Sequence, residues 1–472
     1  MEHRLFIGGK LREGASTQEV RVPYDGAIFA RVHTADAALL DEAVAAARQG
    51  FRAMRSLTRA RRAEILFEVR RRLLEEADSF AGVIASECGK PLREARLEVA
   101  RGAATLLFSA NEALNLAGEE VPMDASAHGA GRLAMCVREP LGVIGAITPF
   151  NFPLNLSLHK IGPALAAGNA VVHNPASATP VSALELARLF AEAGLPEGAL
   201  NVVPGPGALL GEALARHPDV SMITFTGSPE VGIRLRDIAG LKRVTLELGS
   251  NSAVIVEPDA DLALAVPLCL SGAFAHSGQV CISVQRIFVH EAIAEAVTAE
   301  LAAGAEELRR GHPLEEATEV SSLITAGEAA RVSEWIGEAV AAGGRLLTGG
   351  DREGTRLKPA VVADAPAGSK LLTREAFGPV VAVNKYETLG EAIDLVNASD
   401  YGLQAGIFTR DIGRAFRAAR EVEVGGFLIN DVPQFRADQM PYGGVKLSGT
   451  GREGPHYAIE EMTERKLIVW RV

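Results

Sequence analysis

The sequence contains few cysteines and few aromatic residues. Its four cysteines, in 472 residues, form no Cys-x-x-Cys pair and no Cys/His ligand spacing. We therefore expect neither a disulfide scaffold nor a metal site, and so low a cysteine content is typical of a reducing cytosol. Aromatic residues make up 5% of the chain, whereas alanine and glycine are abundant. This composition favours helices packed closely on sheets over an aromatic-rich binding surface.

Long apolar runs and concentrated positive charge are also missing. The longest apolar stretch, LALAVPLCLSGAFA, contains a proline and is shorter than the roughly 18–20 residues of a membrane span. The N-terminus, MEHRLFIGGK, lacks the apolar core and cleavage site of a signal peptide. The net charge is −11, and no basic stripe alternates with aromatic residues. We therefore expect a cytoplasmic protein that binds neither nucleic acid nor membrane.

The apolar pattern divides the chain into regions of different secondary structure. It predicts short strands for residues 1–30, helices for 36–118 and a hairpin away from the core for 119–139. Two series of alternating strands and helices follow, over 140–260 and from 252 to about 430. The tail, ERKLIVWRV, is predicted to be a lone strand that adds to another sheet, such as one of a neighbouring subunit.

The first alternating series predicts a parallel sheet. The runs LGVIGAITP, NAVVHNP, ALNVVPG, VSMITFTG and RVTLELG are nearly continuous apolar strands separated by helical segments, which is the pattern of βαβ units. Right-handed crossovers make such a sheet open and doubly wound. Since the chain is long enough for two or three domains, we expect an α/β protein with this Rossmann-type sheet and a second α/β domain.

Two glycine-bearing turns in the first series suit a dinucleotide. VVPGPGALLG places Gly205, Gly207 and Gly211 between a strand and a helix, and TFTGSPEVG places Gly227 and Ser228 at a second such turn. Dinucleotides bind at the carboxyl ends of parallel strands, beside helix N-termini. The first spacing is one residue longer than the usual fingerprint, so plain turn glycines remain an alternative at this point.

Four side chains in separate stretches are candidates for a common site. Cys281, in SGQVCISVQR, is a nucleophile if it ionises. Asn151, in TPFNFPLN, follows an apolar strand and can donate a hydrogen bond to an oxyanion. Glu247, in LELGSN, ends another strand, where a carboxylate can activate water. Glu375, in TREAFGPVV, precedes a strand of the second series. Taken singly, Cys281 is better explained as structural, Asn151 as a turn residue and Glu247 as a surface acid, but together they suit one task.

The motifs resemble those of the NAD(P)-dependent aldehyde dehydrogenase superfamily. PFNFP, TFTGSPEVG, LELG, GQVC, EAFGPV and PYGGVKLSG occur in the family's order along essentially the whole chain. GQVCISVQR and MPYGGVKLSG are most similar to the branch near lactaldehyde and phosphonoacetaldehyde dehydrogenases. The resemblance implies the aldehyde dehydrogenase fold, with an NAD(P)-binding domain (1–118 and 139–248), a catalytic domain (249–430) and a small β oligomerisation arm (119–138 and 455–472). It also implies a homodimer or homotetramer.

The resemblance also implies a role for each site residue. Cys281 would add to a small aldehyde, Asn151 and the Cys281 backbone N–H would hold the oxyanion, and Glu247 would activate the water that hydrolyses the resulting thioester. The NAD or NADP cofactor would be contacted by a larger set, namely Ile147, Thr148, Pro149, Phe150, Asn174, Ser177, Gly207, Gly211, Gly227, Ser228, Val231, Leu248, Glu375 and Phe377.

The sequence departs from the family at the adenosine end of the cofactor site. Asn174 stands where the family usually has a lysine, so one positive charge is missing. Ser177 stands where members that prefer NAD often carry a glutamate, whose charge repels the 2′-phosphate of NADP. We therefore expect NADP to be tolerated. His173, beside Asn174, is expected to be a neutral surface residue.

The substrate is the least specified part of the prediction. Arg101, His159 and Arg436 resemble positions that line the substrate funnel in this branch. If they face the funnel, they favour a small aldehyde with a carboxylate or phosphonate; otherwise a short neutral aldehyde such as lactaldehyde is favoured. A CoA-acylating dehydrogenase and a non-catalytic descendant remain alternatives. The presence of Glu247 argues against the first, and the complete set of Cys281, Asn151 and Glu247 argues against the second.

Overall fold

Two large sheets, each covered by helices, form the computed structural model, which describes residues Met1–Val472. The helices are Ala37–Ser56, Arg59–Glu75, Ala77–Cys88, Leu92–Asn115, Asn155–Ala167, Val181–Glu192, Gly207–Arg216, Pro229–Ala239, Leu262–Phe274, Glu291–Glu307, Ala326–Ala341, Lys370–Thr373, Leu389–Asn397, Ile412–Glu421 and Pro455–Glu461. Not one of them combines the length and the apolar character that spanning a bilayer requires. The predicted α/β class is confirmed.

The first sheet has eight strands. Its order is Gly449–Thr450, Arg243–Glu247, Val220–Thr226, Val143–Ile147, Ala170–Asn174, Leu200–Val202, Leu5–Ile7 and Lys10–Arg12. The five strands between residues 143 and 247 are parallel, as the sequence predicts, and the flanking short strands are antiparallel. A separate three-stranded sheet near the N-terminus contains Glu2–His3, Ser16–Arg21 and Ile28–Thr34.

Both faces of the first sheet are buried, which explains why its strands are apolar at nearly every position. Ile144 packs into the core that includes the helix Leu92–Asn115. Its neighbours Val143 and Ile147 pack into a second core on the other face, which includes the helix Ala37–Ser56. Successive side chains of a strand point to opposite faces, so helices cover the sheet on both sides, as the doubly wound prediction requires.

The strand order reverses at Val143–Ile147. The chain continues from this strand to Ala170–Asn174 on one side and later returns to Val220–Thr226 on the other. Ligands of doubly wound proteins bind at such a switch point, outside the carboxyl ends of the strands. The segments that follow these strands, Pro149–Asn151 and Gly227–Ser228, therefore meet where a ligand site is expected.

The second large sheet has seven strands. Its order is Arg345–Thr348, Ala360–Ala363, Val380–Tyr386, Arg286–His290, Ala253–Val256, Gln404–Phe408 and Gly426–Ile429. All pairs are parallel except the first. Two short antiparallel pairs, Arg352–Glu353 with Arg356–Leu357 and Tyr401–Gly402 with Val445–Lys446, lie outside the large sheets. Cys281 lies in the loop that leads into Arg286–His290.

The predicted hairpin and tail form one small antiparallel sheet. Glu119–Val121 pairs with Arg132–Pro140, which pairs along its whole length with Thr463–Arg471. The tail thus adds to a sheet of its own chain. The preceding helix, Pro455–Glu461, packs Ile459 into the core of the first large sheet. The domain limits given above stay a prediction.

Candidate active site

A cleft between the two large sheets contains much of the predicted site. Its volume is about 710 Å³, within the range typical of small-molecule sites. Of the residues that the sequence singles out, it is lined by Pro149, Phe150, Asn151, Gly227, Ser228, Leu248, Cys281, Glu375 and Phe377. These residues come from loops that are far apart in the sequence. Some follow strands of the first large sheet, and Cys281, Glu375 and Phe377 precede strands of the second.

Asn151 is held rigidly beside the cysteine loop. Its side chain is buried, and its Nδ2 donates a hydrogen bond to the carbonyl oxygen of Gln279 at 2.9 Å. The carbonyl partner fixes the orientation of the amide and leaves the second N–H of Nδ2 available. The following helix begins at Asn155, where the buried Glu98 accepts hydrogen bonds from the backbone N–H groups of Leu154 and Asn155.

Cys281 is half-buried at the floor of the cleft. Its Sγ lies 2.9 Å from the hydroxyl oxygen of Tyr442, and either atom can be the donor. Burial raises the pKa of the Cys281 thiol to about 11, although the Tyr442 hydrogen bond and the charge of Arg436 act in the opposite direction. In this environment the thiol is protonated at neutral pH and needs help to ionise.

Glu247 is a buried carboxyl group without a hydrogen-bond partner. It is 2% exposed, and neither Oε1 nor Oε2 is bonded. Burial, and then repulsion by Glu453, raise the pKa of Glu247 well above its usual value. Buried polar groups without partners are rare in proteins, and strongly perturbed carboxyl groups are concentrated at functional sites.

A buried ionic network lies near enough to Glu247 to affect its pKa. Glu453 accepts from Lys160 at 2.7 Å and from Arg436 at 3.0 Å, and all three side chains are at most 5% exposed. Lys160 also donates to the Thr226 hydroxyl at 2.7 Å. Although burial acts in the opposite direction, the two cations hold the pKa of Glu453 well below its usual range. Glu453 is therefore the ionised carboxylate of this region.

The cleft is also lined by Glu375, Phe377 and the start of a helix. The Glu375 carboxylate accepts from the backbone N–H of Ser250 at 2.9 Å, and a Cβ at Gly249 would lie 2.4 Å from its Oε2. Glycine is thus needed for this close approach. Phe377 packs edge-on against Phe150, with ring centroids 5.9 Å apart. The N-terminus of the helix Pro229–Ala239 also borders the cleft, and such an end favours a pyrophosphate.

The remaining predicted cofactor residues lie outside the cleft lining. Ile147, Thr148 and Gly211 are buried, Val231 is exposed, and Gly207 begins the helix Gly207–Arg216 with open space around it. The Ser177 hydroxyl donates to the Gly205 carbonyl at 2.8 Å. Asn174 is buried, and its amide nitrogen donates to the Val203 carbonyl at 3.0 Å, so that nitrogen is engaged with the neighbouring chain segment.

The prediction for His173 is wrong in one respect. The residue is fully buried rather than at the surface, and its Nε2 lies 2.9 Å from the Thr148 hydroxyl. Burial, reinforced by the charge of Lys160, lowers the pKa of His173 to about 3, so it is neutral as expected. It occupies an inner position of the strand Ala170–Asn174, where both faces of the sheet are covered, and an apolar strand pattern alone cannot reveal that position.

The three predicted substrate residues are engaged with acidic side chains. Arg101 and His159 both contact Asp438, with distances of 3.0 Å from Arg101 Nη2 and 2.9 Å from His159 Nε2 to Oδ1. Arg436 contacts Glu453, as described above. Neither His159 nor Arg436 is accessible, whereas 29% of the Arg101 side chain is exposed. None of the three lines the cleft around Cys281.

Several residues of the site are not among those predicted from the sequence. Tyr442 contacts the sulfur of Cys281, Asp438 and Glu453 engage the predicted cations, and the cleft is further lined by Leu156, Thr226, Pro229, Glu230, Gly249, Glu328, Arg331, Trp335, Lys370, Arg374 and Tyr401. The motif PYGGVKLSG, which contains Tyr442, is the one sequence signal that could have indicated it.

Comparison with known proteins agrees with this geometry. Residues 11–468 match the aldehyde dehydrogenase family. The chain is 47% identical over 468 residues to 3-sulfolactaldehyde dehydrogenase of Priestia aryabhattai, covering 99% of this chain and 98% of the relative. Aldehyde dehydrogenase 21 from Physcomitrella patens, solved with its reaction product succinate, superimposes with a TM-score of 0.97 at 37% identity, covering 100% and 98% of the two chains. Glyceraldehyde-3-phosphate dehydrogenase from Methanocaldococcus jannaschii, complexed with NADP, superimposes with a TM-score of 0.93 at 38% identity, covering 98% of this chain and 100% of that chain.

The chain belongs to the aldehyde dehydrogenase family. It is an oxidoreductase that uses NAD(P) to oxidise a small aldehyde. The family and fold expected from the sequence are confirmed.

Proposed function

We propose that this enzyme oxidises a small aldehyde bearing an anionic group to the acid, with water as the acyl acceptor and with NADP accepted as well as NAD. One observation carries the proposal. Cys281 lines the same cleft as the fixed amide of Asn151. The unpartnered carboxyl group of Glu247 is buried at the end of the strand that leads into this cleft.

In the proposed reaction Cys281 is the nucleophile. Its thiolate adds to the aldehyde carbon, and the free N–H of Asn151 donates to the oxyanion of the thiohemiacetal. A donor of this type contributes about 3–4 kcal/mol to transition-state stabilisation. When bound, NAD(P) supplies the acceptor for the hydride that leaves this carbon. The product on Cys281 is a thioester, since the carbon has lost two electrons and one hydrogen.

Glu247 is the proposed general base for hydrolysis. Its ionised carboxyl group takes a proton from water, the hydroxide adds to the thioester carbon, and the acid departs as Cys281 regains its electron pair. Water rather than CoA is proposed as the acceptor because an unpartnered carboxyl group has no evident structural purpose at this position. Glu453, which is paired with Lys160, is a second carboxylate in this region and repels a negative charge on Glu247, so Glu247 takes up a proton more readily than an ordinary carboxylate.

Arg101 is the proposed contact for the anionic group. It is the most exposed of the predicted substrate cations, and its guanidinium carbon lies 6.0 Å from the ring of Phe152, next to Asn151. Asp438 neutralises the Nε and Nη2 side of the guanidinium and leaves Nη1 for a ligand. The relatives that act on sulfolactaldehyde or contain succinate are consistent with an anionic substrate.

Acceptance of NADP is proposed from the residues at the adenosine end. Ser177 carries no charge, and its hydroxyl is bonded to the Gly205 carbonyl, so nothing at this position repels a 2′-phosphate. The neutral Asn174 adds no attraction. We therefore expect Ser177→Glu to abolish use of NADP and leave use of NAD, with Ser177→Ala as the matched control that keeps both.

A homo-oligomer is proposed from the small sheet of residues 119–140 and 463–471. Its outer strand Thr463–Arg471 has a free edge and exposes Leu467, Val469 and Trp470. Exposed apolar residues on an unpaired edge mark an association surface. Leu467→Asp should give monomers in light scattering, whereas Leu241→Asp, at an exposed site elsewhere, should not.

The test of the proposed function is formation of reduced nicotinamide. The purified enzyme is given 3-sulfolactaldehyde, succinate semialdehyde, lactaldehyde and propionaldehyde, each with NAD⁺ and with NADP⁺, and Cys281→Ala is the control. Turnover of the anionic aldehydes with at least tenfold higher kcat/KM than the neutral ones supports the proposal. Turnover confined to neutral aldehydes contradicts the anionic substrate, and turnover that requires CoA contradicts the hydrolytic step.

Arg101→Met separates the substrate contact from the chemistry. A charge-assisted hydrogen bond contributes about 1.5–3 kcal/mol, so KM for an anionic aldehyde should rise roughly 10- to 100-fold while kcat/KM for propionaldehyde is unchanged. An equal loss of kcat/KM for both aldehydes would assign Arg101 a structural role through Asp438.

A further inference from the structure

Tyr442 contacts the nucleophile directly. Its hydroxyl oxygen is 2.9 Å from Cys281 Sγ, although 161 residues separate the two in the sequence. Tyr442 is 2% exposed, so bulk water does not replace this contact. The hydrogen bond with Cys281 is the one hydrogen bond that the hydroxyl forms. A buried phenol whose single partner is a reactive sulfur is placed for chemistry on that sulfur.

The tyrosine is fixed from two sides. The guanidinium carbon of Arg436 lies 3.6 Å from the centre of the Tyr442 ring. The backbone of Tyr442 exchanges two hydrogen bonds with Glu453, at 3.0 Å and 2.7 Å, and the Glu453 carboxylate also holds Arg436. A cation over the face of the ring is attracted to it, which helps to fix the ring. Burial raises the pKa of Tyr442 well above its usual value, although the charge of Arg436 acts in the opposite direction, so the phenol keeps its proton.

The next residue places the same segment against Glu247. A Cβ at Gly443 would lie 2.8 Å from Glu247 Oε1, so the glycine lets the backbone approach this carboxyl group. The segment of Tyr442 and Gly443 therefore touches both the sulfur of Cys281 and the side chain of Glu247.

We propose that Tyr442 is a further catalytic residue, whose hydroxyl donates a hydrogen bond to the Cys281 sulfur whenever that sulfur is a thiolate. The proposal rests on Cys281 being the nucleophile of the proposed function. No covalent bond to Tyr442 forms. The Cys281 thiol, which is partly exposed in the cleft, loses its proton to solvent water. The phenol keeps its own proton, and its O–H donates to the sulfur electron pair both before attack and when the acid departs.

Such a donor matters because the thiol is otherwise hard to ionise. A hydrogen bond to a charged partner changes the thiolate fraction by about 10- to 100-fold. Part of this gain is lost, because a more acidic thiol is a weaker nucleophile, with a sensitivity of roughly 0.4–0.5. The net effect on attack is therefore about 3- to 10-fold. The same bond stabilises the sulfur as a leaving group during hydrolysis.

The test measures reaction of Cys281 with iodoacetamide between pH 7 and 9, followed by mass spectrometry of the Cys281 peptide. Tyr442→Phe keeps the ring under Arg436 and removes the hydroxyl, so alkylation should slow by about 3- to 10-fold at each pH. Tyr457→Phe, which removes a tyrosine hydroxyl that contacts nothing in the site, is the matched control. Alkylation of Tyr442→Phe at the wild-type rate overturns the proposal.

A second measurement tests the proposal in the chain with Tyr442 still in place. The chain has five tyrosines, and replacing all of them by 3-fluorotyrosine gives a more acidic phenol, which should accelerate alkylation of Cys281. The acceleration should vanish in Tyr442→Phe, which a purely structural role of the tyrosine would not predict. An unchanged rate in the fluorinated wild-type chain overturns the proposal.

Aldehyde turnover by the unmodified enzyme is followed in parallel. Absence of turnover with every aldehyde contradicts the proposed function and removes the basis of this inference. Normal turnover, with alkylation that does not respond to either change at Tyr442, contradicts only the role of Tyr442.

Discussion

Replacing Glu247 by glutamine should make this protein more stable and less active. The carboxyl group is buried without a partner, and burial, followed by repulsion from Glu453, raises its pKa well above the usual value. The folded chain therefore retains a proton that the unfolded chain releases at a pH of about 4.3. A raised folded pKa means that stability is greatest below the unfolded pKa and falls as the pH rises towards the folded one.

The slope of this loss is about 1.4 kcal/mol per pH unit, because one proton is taken up on folding. Glutamine has the same shape as glutamate and no proton to lose, so Glu247→Gln should not show this loss of stability with rising pH. Its stability advantage should therefore grow as the pH rises above about 4.3, until the pH reaches the raised pKa of Glu247 in the folded chain. Thermal and denaturant unfolding at a series of pH values would measure the difference.

Glu300→Gln is the control, because Glu300 is exposed on the helix Glu291–Glu307 and forms no ion pair. The difference between Glu247→Gln and wild type should rise with pH, and that between Glu300→Gln and wild type should stay flat. An advantage of Glu247→Gln that does not change with pH would refute the raised pKa.

The substitution Glu247→Gln should lower the hydrolytic activity, although it raises the stability. A general base acts in its ionised form, so the hydrolytic rate of the wild type should increase as the pH rises towards the pKa of Glu247. In Glu247→Gln one equivalent of reduced cofactor should form rapidly and be followed by a slow phase, because the thioester still forms. Steady turnover of the variant at the wild-type rate would remove Glu247 from the mechanism.

Three further substitutions test the remaining site. Cys281→Ala should abolish aldehyde oxidation without changing the far-ultraviolet circular dichroism, and substantial residual turnover would exclude Cys281 as nucleophile. Asn151→Ala should lower kcat by about 10²–10³-fold, measured at saturating aldehyde; a change in KM alone would contradict an oxyanion role. Lys90→Met leaves the buried Glu98 without its cation and should lower the free energy of unfolding by about 3–5 kcal/mol in denaturant titrations, whereas a loss below about 1 kcal/mol would mean that the pair contributes little.

The secondary structure and sheet type were predictable because they depend on local pattern. The apolar runs around Ile147, Asn174 and Thr226 end in turns, and the parallel sheet places those turns at one edge. The position of Asn151 beside the cleft follows from this rule. The burial of His173 does not, because a polar side chain inside an apolar strand gives no sign of which groups cover it.

The contacts of the candidate site were predictable only in part. The motifs indicate Cys281, Asn151 and Glu247, and the structure brings Cys281 and Asn151 into one cleft with the Glu247 strand beside it. The ion pair of Arg101 with the buried Asp438 has no sequence signal, because the two residues are 337 positions apart.

The sequence by itself determined the α/β class, the order of the strands and helices, and the family, because periodicity and short motifs are properties of neighbouring residues. Only the tertiary structure decided that Glu247 is a carboxyl group without a partner and that the Tyr442 hydroxyl meets the Cys281 sulfur. Both facts depend on how loops from distant parts of the chain pack together. Packing sets which polar groups lose water and which find a partner, and these two outcomes set the chemistry of the site.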